Sequence, residues 1–131
     1  MKKYLAEMFG TMVLVLMGCG TAVSLNCGVD TAAVVGTAMA FGLSVIAMAY
    51  TIGGISGCHI NPAITLGCLL SKRISGKDAA MYMIFQVIGA FIGSAVLYAL
   101  VTTSPELAAG TNSITVVIFL IFLLILRMRT T

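Results

Sequence analysis

SGCHINPAITLG, residues 56–67, is the stretch of sequence that decides the fold. Asn61 followed by Pro62 is a helix-start signal, because Asn caps free backbone N–H groups and a Pro at the first helical position has none to leave unsatisfied. A helix from Pro62 to Ser71 would be about 15 Å long, roughly half of a hydrocarbon core of about 30 Å. The stretch therefore predicts a half-length helix that begins at Asn61.

The composition indicates that lipid surrounds most of the chain. Of the 131 residues, 60% are hydrophobic and 8% are charged, which is not typical of a soluble domain. The charges leave uncharged intervals long enough for the about 20 residues that a transmembrane helix needs, namely residues 8–29, 31–71, 79–105 and 107–126. We therefore expect one all-α membrane domain, residues 1–131, with four transmembrane helices.

The basic residues predict the orientation of these helices. With a cytoplasmic N-terminus and one crossing per interval, all of them fall on the cytoplasmic face, as the positive-inside rule requires: Lys2, Lys3, Lys72, Arg73, Lys77, Arg127 and Arg129. Residues 26–32 and the turn at 104–106 then lie outside. We expect a multi-pass protein of the cell membrane, plasma or inner, with its N-terminus in the cytoplasm.

The second interval holds a re-entrant segment. Residues 31–71 are about twice what one helix needs, yet two full crossings would put Lys72 on the wrong side. The residues beyond the first crossing must therefore enter and leave the membrane by the same face, as an extended segment from Gly53 followed by the half-helix. Asn61 would then lie at the middle of the bilayer.

A non-helical backbone at that depth is tolerated only where it is buried in protein or lines a water-filled cavity. Glycines 53, 54 and 57 fit such a segment, because they allow unusual dihedral angles. Carbonyls from Gly57 to Ile60 would accept hydrogen bonds from permeant water, and the Asn61 amide would donate. The positive end of the half-helix would repel cations, an effect already known from membrane pores.

Residues 56–67 resemble the first signature loop of the aquaporin, or major intrinsic protein, family. The resemblance includes AEMFGT at 6–11, AFGL at 40–43 and QVIGA at 86–90, and it covers about residues 4–102. Within the family the chain is most similar to prokaryotic water channels. The resemblance implies a passive channel that conducts water through a pore lined by this loop, with the site residues Asn61, Pro62, Ala63, His59, Cys58, Gly57 and Ile60.

The resemblance implies roles for two further residues. Phe41 would form one wall of the outer constriction, where Phe suits water and makes a glycerol facilitator the weaker alternative; without the resemblance it would be a packing residue. Glu7 would accept hydrogen bonds from the signature loop and support it. An acid inside an apolar run is a functional candidate by default, although a position at the headgroup boundary stays open.

The chain departs from the family in its second half. A complete member has two inverted halves, each with an Asn-Pro-Ala half-helix, whereas this sequence has one such loop. Residues 103–131 are expected to form an external turn and an atypical last helix, and the chain is expected to be truncated. A non-conducting membrane fragment, or a partner subunit of a complete channel, is therefore the alternative function.

Other classes of function have little support. The sequence contains no nucleophile with a base, no paired carboxylates and no metal cluster, so we expect neither an enzyme nor a cofactor or metal. The basic residues flank apolar runs and do not predict nucleic-acid binding. The expected partners are permeant water and the lipid bilayer, and the resemblance implies a homo-oligomer, a tetramer, if the protein is complete.

Cys58 lies beside the predicted water path, and this generates a prediction. In a preparation that conducts water, mercurials should block the flux, because the metal would bind the Cys58 thiol in the pore. Osmotic swelling with and without the mercurial measures the effect, with Cys58→Ser as the insensitive control. A flux that mercury leaves unchanged would rule out this position for Cys58.

Overall fold

The computed structural model describes residues 1–26 and 28–103, and these residues form helices and short connections without a strand. The helices are α1 (Lys2–Ser24), α2 (Thr31–Ser56), α3 (Pro62–Leu70) and α4 (Gly76–Thr102). Helices α1, α2 and α4 are long and apolar enough to cross a membrane. The predicted all-α membrane fold is confirmed for this part of the chain; the predicted fourth transmembrane helix, 107–126, and Cys27 lie outside the described residues.

Side-chain caps fix where three helices begin. The Asp30 side chain accepts hydrogen bonds from the N–H groups of the first turn of α2, and Ser75 Oγ accepts one from Asp78 N, 3.1 Å away, at the start of α4. Asn61 Oδ1 accepts from Ala63 N at 2.8 Å, with Pro62 at the first helical position. The predicted start of the half-helix is therefore confirmed, and its end at Leu70 is one residue earlier than predicted.

The predicted extended segment from Gly53 is wrong over its first four residues. Gly53 and Gly54 lie inside α2, and of the described glycines only Gly57 has a positive φ, 88°. In lipid an unpaired backbone group costs several kcal/mol, whereas a Gly in a helix costs about 1 kcal/mol. The helix therefore continues to Ser56 and ends where the N–H of Gly57 donates to the Gly53 carbonyl at 2.9 Å.

Helix α1 packs against both α2 and α4. Its contact with α4 is a backbone approach at Gly89 and Gly93, the GxxxG pattern of the third long helix. A methyl group added at Gly89 would collide with the carbonyl of Met8, and one at Gly93 would lie 2.7 Å from the carbonyl oxygen of Met12. Small residues here let the two helices touch without intervening side chains.

A buried apolar cluster joins α1, α2 and the loop before α3. It consists of Ala6, Met48, Ile52 and Ile60. Gly10 leaves the space that Ile52 and Ile60 occupy, since a Cβ there would lie 2.6 Å from each side chain. Large apolar side chains on the outside of the helices are exposed, among them Val34, Met39, Leu43, Ile46 and Leu100, as expected of a surface that faces lipid.

We predict that Gly89→Ala destabilises the protein. The added methyl group would meet the backbone of Met8, which cannot rotate away as a side chain can. Overpacking of this kind costs about 1–3 kcal/mol in the free energy of unfolding. Thermal unfolding in detergent measures the loss.

Gly42→Ala is the matched control, because nothing lies within 4 Å of the position that its methyl group would take. It should leave the unfolding temperature unchanged or slightly raised, since Ala is the better helix former. If both variants unfold alike, the close approach at Gly89 does not hold α1 against α4.

Candidate functional site

The connection between α2 and α3 runs through an unusual backbone. Gly57, Cys58 and Ile60 have φ angles of 88°, 52° and 40°. The left-handed region costs a residue other than Gly about 1–2 kcal/mol, and a β-branched residue such as Ile is rarely found there. Such a conformation persists only where the surrounding structure holds it.

The carboxylate of Glu7 on α1 holds this segment. Its Oε1 accepts from His59 N at 2.9 Å and from Ser56 Oγ at 2.6 Å. Its Oε2 accepts from Ile60 N at 2.6 Å and from Gln86 Nε2 at 2.8 Å. Two oxygens thus receive four hydrogen bonds, contributed by the end of α2, the loop and α4.

Glu7 is 0% exposed, so its carboxylate lies inside the protein and not on its surface. Within residues 1–26 and 28–103 the salt bridge is between Lys3 and Asp78, and none involves Glu7. Burial of a carboxylate is costly unless its oxygens are paired. Here the pairing comes from two backbone N–H groups and two polar side chains, so the cost of burial is offset by contacts that also fix the loop.

A second set of contacts continues from Glu7 to the start of α3. Gln86 Nε2 also lies 3.0 Å from Thr65 Oγ1, and Thr65 Oγ1 lies 3.1 Å from His59 Nδ1. Thr65 and Gln86 are both 0% exposed. Tyr82 adds a hydrogen bond from its hydroxyl to the Ser56 carbonyl at 2.8 Å, and its ring packs edge-on with that of His59. The loop is therefore held from α1 and from α4.

The predicted pore residues differ in exposure. Asn61, Ala63 and Gly57 are exposed, whereas Cys58, His59 and Pro62 are partly buried. Ile60 is 3% exposed and its side chain belongs to the apolar cluster, so only its backbone is available to a pore. These residues lie together on the connection and the first turn of α3.

Phe41 lies apart from the loop residues. It precedes Ser56 by about four turns of α2, or roughly 22 Å along the helix axis. It is partly buried, and its ring lies directly on Gly18 of α1. The loop positions of the predicted site therefore lie together. Phe41 lies apart from them, in the first half of α2.

Sequence reasoning missed several polar residues that support the loop. They are Ser56, Thr65, Tyr82 and Gln86. Gln86 carried a usable signal, because it is the only amide side chain in the uncharged interval 79–105 and a strongly polar residue inside an apolar run needs a partner. The two hydroxyl residues of α2 and α3 and the tyrosine carried none, since such residues are common in membrane helices.

These features define a class of helical membrane protein in which a half-length helix begins at an Asn-Pro-Ala loop held by a buried glutamate. The chain matches the profile of the family described as "Major intrinsic protein" over residues 1–128, and it belongs to that family. The match reaches past residue 102, where the resemblance seen in the sequence ends. Major intrinsic proteins of the aquaporin type are channels, not enzymes.

The chain is also similar to curated bacterial proteins named Aquaporin Z. It is 50% identical to that of Rhodopseudomonas palustris over 112 residues, 82% of this chain and 46% of the relative. It is 45% identical to that of Bradyrhizobium diazoefficiens, covering 80% and 44%, and 41% identical to that of Brucella melitensis, covering 84% and 49%. The chain thus spans about half the length of the curated relatives it matches, and the family prediction is confirmed.

We predict that Glu7→Gln destabilises the loop. An amide nitrogen would replace one carboxylate oxygen and face groups that donate, which leaves buried donors unpaired at about 1–3 kcal/mol each. We expect a loss of about 2–4 kcal/mol in the free energy of unfolding. Hydrogen exchange at the amides of His59 and Ile60 should also accelerate, because both donate to Glu7.

Asp30→Asn is the matched control for this change from carboxylate to amide. Asp30 caps α2 at an exposed position, and Asn caps a helix about as well as Asp. The free energy of unfolding of this variant should equal that of the parent protein. Unchanged exchange at His59 and Ile60 in Glu7→Gln would show that the carboxylate is not what holds the loop.

Proposed function

We propose that this chain supplies half of a passive water channel, with residues 57–63 on the wall of the pore. The observation that carries the proposal is the exposed Asn61 amide at the start of α3, on a loop that buried Glu7 and Gln86 hold between membrane helices. A fixed polar backbone at membrane depth is tolerated where it lines a water-filled cavity. Membership of the major intrinsic protein family supports the same function.

Asn61 is suited to donate to a permeating water molecule. Its Oδ1 is engaged by Ala63 N at 2.8 Å, so the rotation of the side-chain amide is fixed. Its Nδ2 has no hydrogen-bond partner within the described ranges, and the residue is exposed. The amide hydrogens are therefore available to a water oxygen, while the capping oxygen is not.

The backbone before Asn61 is suited to accept from the next water molecule. The N–H groups of His59 and Ile60 point to Glu7, and the carbonyl oxygens of residues 57–60 accept no hydrogen bond from the described part of the protein. A row of carbonyl oxygens that ends at an amide donor replaces the hydrogen bonds that a water molecule loses when it leaves bulk solution. The pore therefore binds a neutral molecule with both donors and acceptors.

Ions are disfavoured at the same wall. The N-terminus of α3 presents the positive end of a helix dipole at Asn61, which repels cations and hydronium. The one carboxylate near the loop, Glu7, is fully buried behind it and committed to four donors. No charged side chain among the described residues is therefore available at this wall to replace the hydration shell of an ion.

The proposal includes a location in the plasma membrane with the N-terminus in the cytoplasm. The starts of α1 and α4 are adjacent, because Lys3 Nζ lies 2.8 Å from Asp78 Oδ2 and the Tyr4 hydroxyl donates to Asp78 Oδ1 at 2.7 Å. The basic residues at this end then face the cytoplasm by the positive-inside rule. A tetramer remains a prediction from the family.

A chimera tests the function. Residues 1–103 of this chain replace the matching part of the Rhodopseudomonas palustris relative, and water flux is measured in proteoliposomes by stopped-flow light scattering. We expect flux well above that of empty vesicles and little glycerol flux. Asn61→Asp should lower the water flux about tenfold, or about 1.4 kcal/mol of barrier, because Asp retains the cap and lacks the amide donor.

Asn26→Asp is the matched control, since Asn26 is an exposed amide in a left-handed conformation just after α1, away from the loop. Its flux should equal that of the parent chimera. A chimera that inserts and folds but conducts no water would overturn the proposal. Equal flux from the Asn61→Asp and parent chimeras would remove Asn61 from the pore.

A further inference from the structure

We infer that Thr65 and Gln86 hold the ring of His59 in the tautomer that carries its proton on Nδ1, so that Nε2 is left as an acceptor beside Gly57. This assigns Thr65 and Gln86 as positioning residues. The tautomer follows from the hydrogen bonds of the described residues and does not depend on conduction. Only the use of Nε2 by a permeating molecule rests on the proposed function.

The orientation of the Gln86 amide is the first step. One of its polar atoms lies 2.8 Å from Glu7 Oε2, and a carboxylate oxygen can only accept. The atom at that position must therefore be Nε2, because the alternative orientation would set two acceptors against each other. The same Nε2 lies 3.0 Å from Thr65 Oγ1, so its second hydrogen is donated to the threonine hydroxyl.

The hydroxyl of Thr65 has one hydrogen and two acceptor positions. One acceptor position is taken by Gln86. Two neighbours remain at 3.1 Å: the Asn61 carbonyl oxygen, which can only accept, and His59 Nδ1, which can do either; Gln86 Oε1 is a more distant acceptor, at 3.4 Å. If the hydroxyl donates to Asn61 and accepts from a protonated Nδ1, the three shorter contacts, at 3.0–3.1 Å, are all hydrogen bonds. If it donates to Nδ1 instead, its contact with Asn61 is lost.

Hydroxyls in the other helices support the first arrangement. A Ser or Thr side chain in a helix commonly donates to the carbonyl four residues earlier. The described helices do this repeatedly, at Thr11, Thr21, Ser24, Ser44, Thr51, Ser71 and Thr102. Donation from Thr65 to Asn61 is the same bond, and the hydroxyl is then left to accept from His59.

The surroundings of Nε2 fit an unprotonated nitrogen. It has no hydrogen-bond partner in the described part of the chain, and a methyl group built on Gly57 would lie 3.6 Å from it. The Tyr82 ring covers the imidazole edge-on, with ring centroids 5.2 Å apart, and so fixes its plane. Nε2 therefore lies beside the exposed Gly57.

The inference extends the proposed pore by one acceptor. On that proposal, carbonyl oxygens of residues 57–60 accept from water, and His59 Nε2 would accept beside them. The opposite tautomer would present an N–H in the same place and interrupt the row of acceptors. Because one ring nitrogen is set by the hydrogen bond of the other, a hydroxyl buried behind the ring determines what the exposed side of the ring offers.

Nitrogen NMR tests the inference directly. His59 is the only histidine among the 131 residues, so the chain grown with 15N-histidine has one labelled ring. In lipid bilayers at mildly alkaline pH we expect Nδ1 to give the signal of a protonated nitrogen and Nε2 that of an unprotonated one. The reverse assignment in the unmodified chain overturns the inference, whether or not the protein conducts water.

Variants of Thr65 provide the second measurement. Thr65→Val keeps the shape and removes the hydroxyl, so the proton should move to Nε2 in most molecules, while Thr65→Ser should restore the original spectrum. Thr51→Val, which removes an exposed hydroxyl on α2, is the matched control and should leave both signals in place. If the two ring-nitrogen signals of His59 are the same in Thr65→Val as in the unmodified chain, Thr65 does not set the tautomer.

Discussion

The carboxylate of Glu7 is the constraint on which the rest of the site depends. A buried acid in a membrane helix must have its oxygens paired, and here the pairing groups are the N–H groups of His59 and Ile60 with two polar side chains. The need of the acid for donors and the need of the strained loop for support are met by the same four hydrogen bonds. Changing either the acid or the loop therefore changes both.

The packing of α1 against α4 makes this arrangement possible. Gly89 and Gly93 let the backbones touch at Met8 and Met12, one residue and five residues after Glu7. At that separation Gln86 reaches both the carboxylate and Thr65. A wider spacing between the helices would leave the glutamine amide and the glutamate oxygens buried and unpaired. The glycines of α4 thus act on the loop although they do not touch it.

The sequence predicted the parts of the fold that depend on local chemistry. The Asn61-Pro62 start of α3 was correct because a cap and a proline act within one turn, and the long helices followed from the uncharged intervals. Gly53 was wrongly predicted as extended, since helix propensity in water understates the cost of an unpaired backbone in lipid. The contacts of Thr65, Tyr82 and Gln86 were missed because they join residues far apart in the chain, which no local pattern records.

The distances along the chain between Glu7 and its partners have a consequence for biosynthesis. The partners are 49, 52, 53 and 79 residues later in the sequence. When the synthesis of α1 is complete, none of these partners has been made, so the acid has no partner in the chain at that stage. Only after residue 86 has been translated can the last donor arrive. The loop can therefore acquire its full set of hydrogen bonds only after Gln86, in the first half of α4, has been translated.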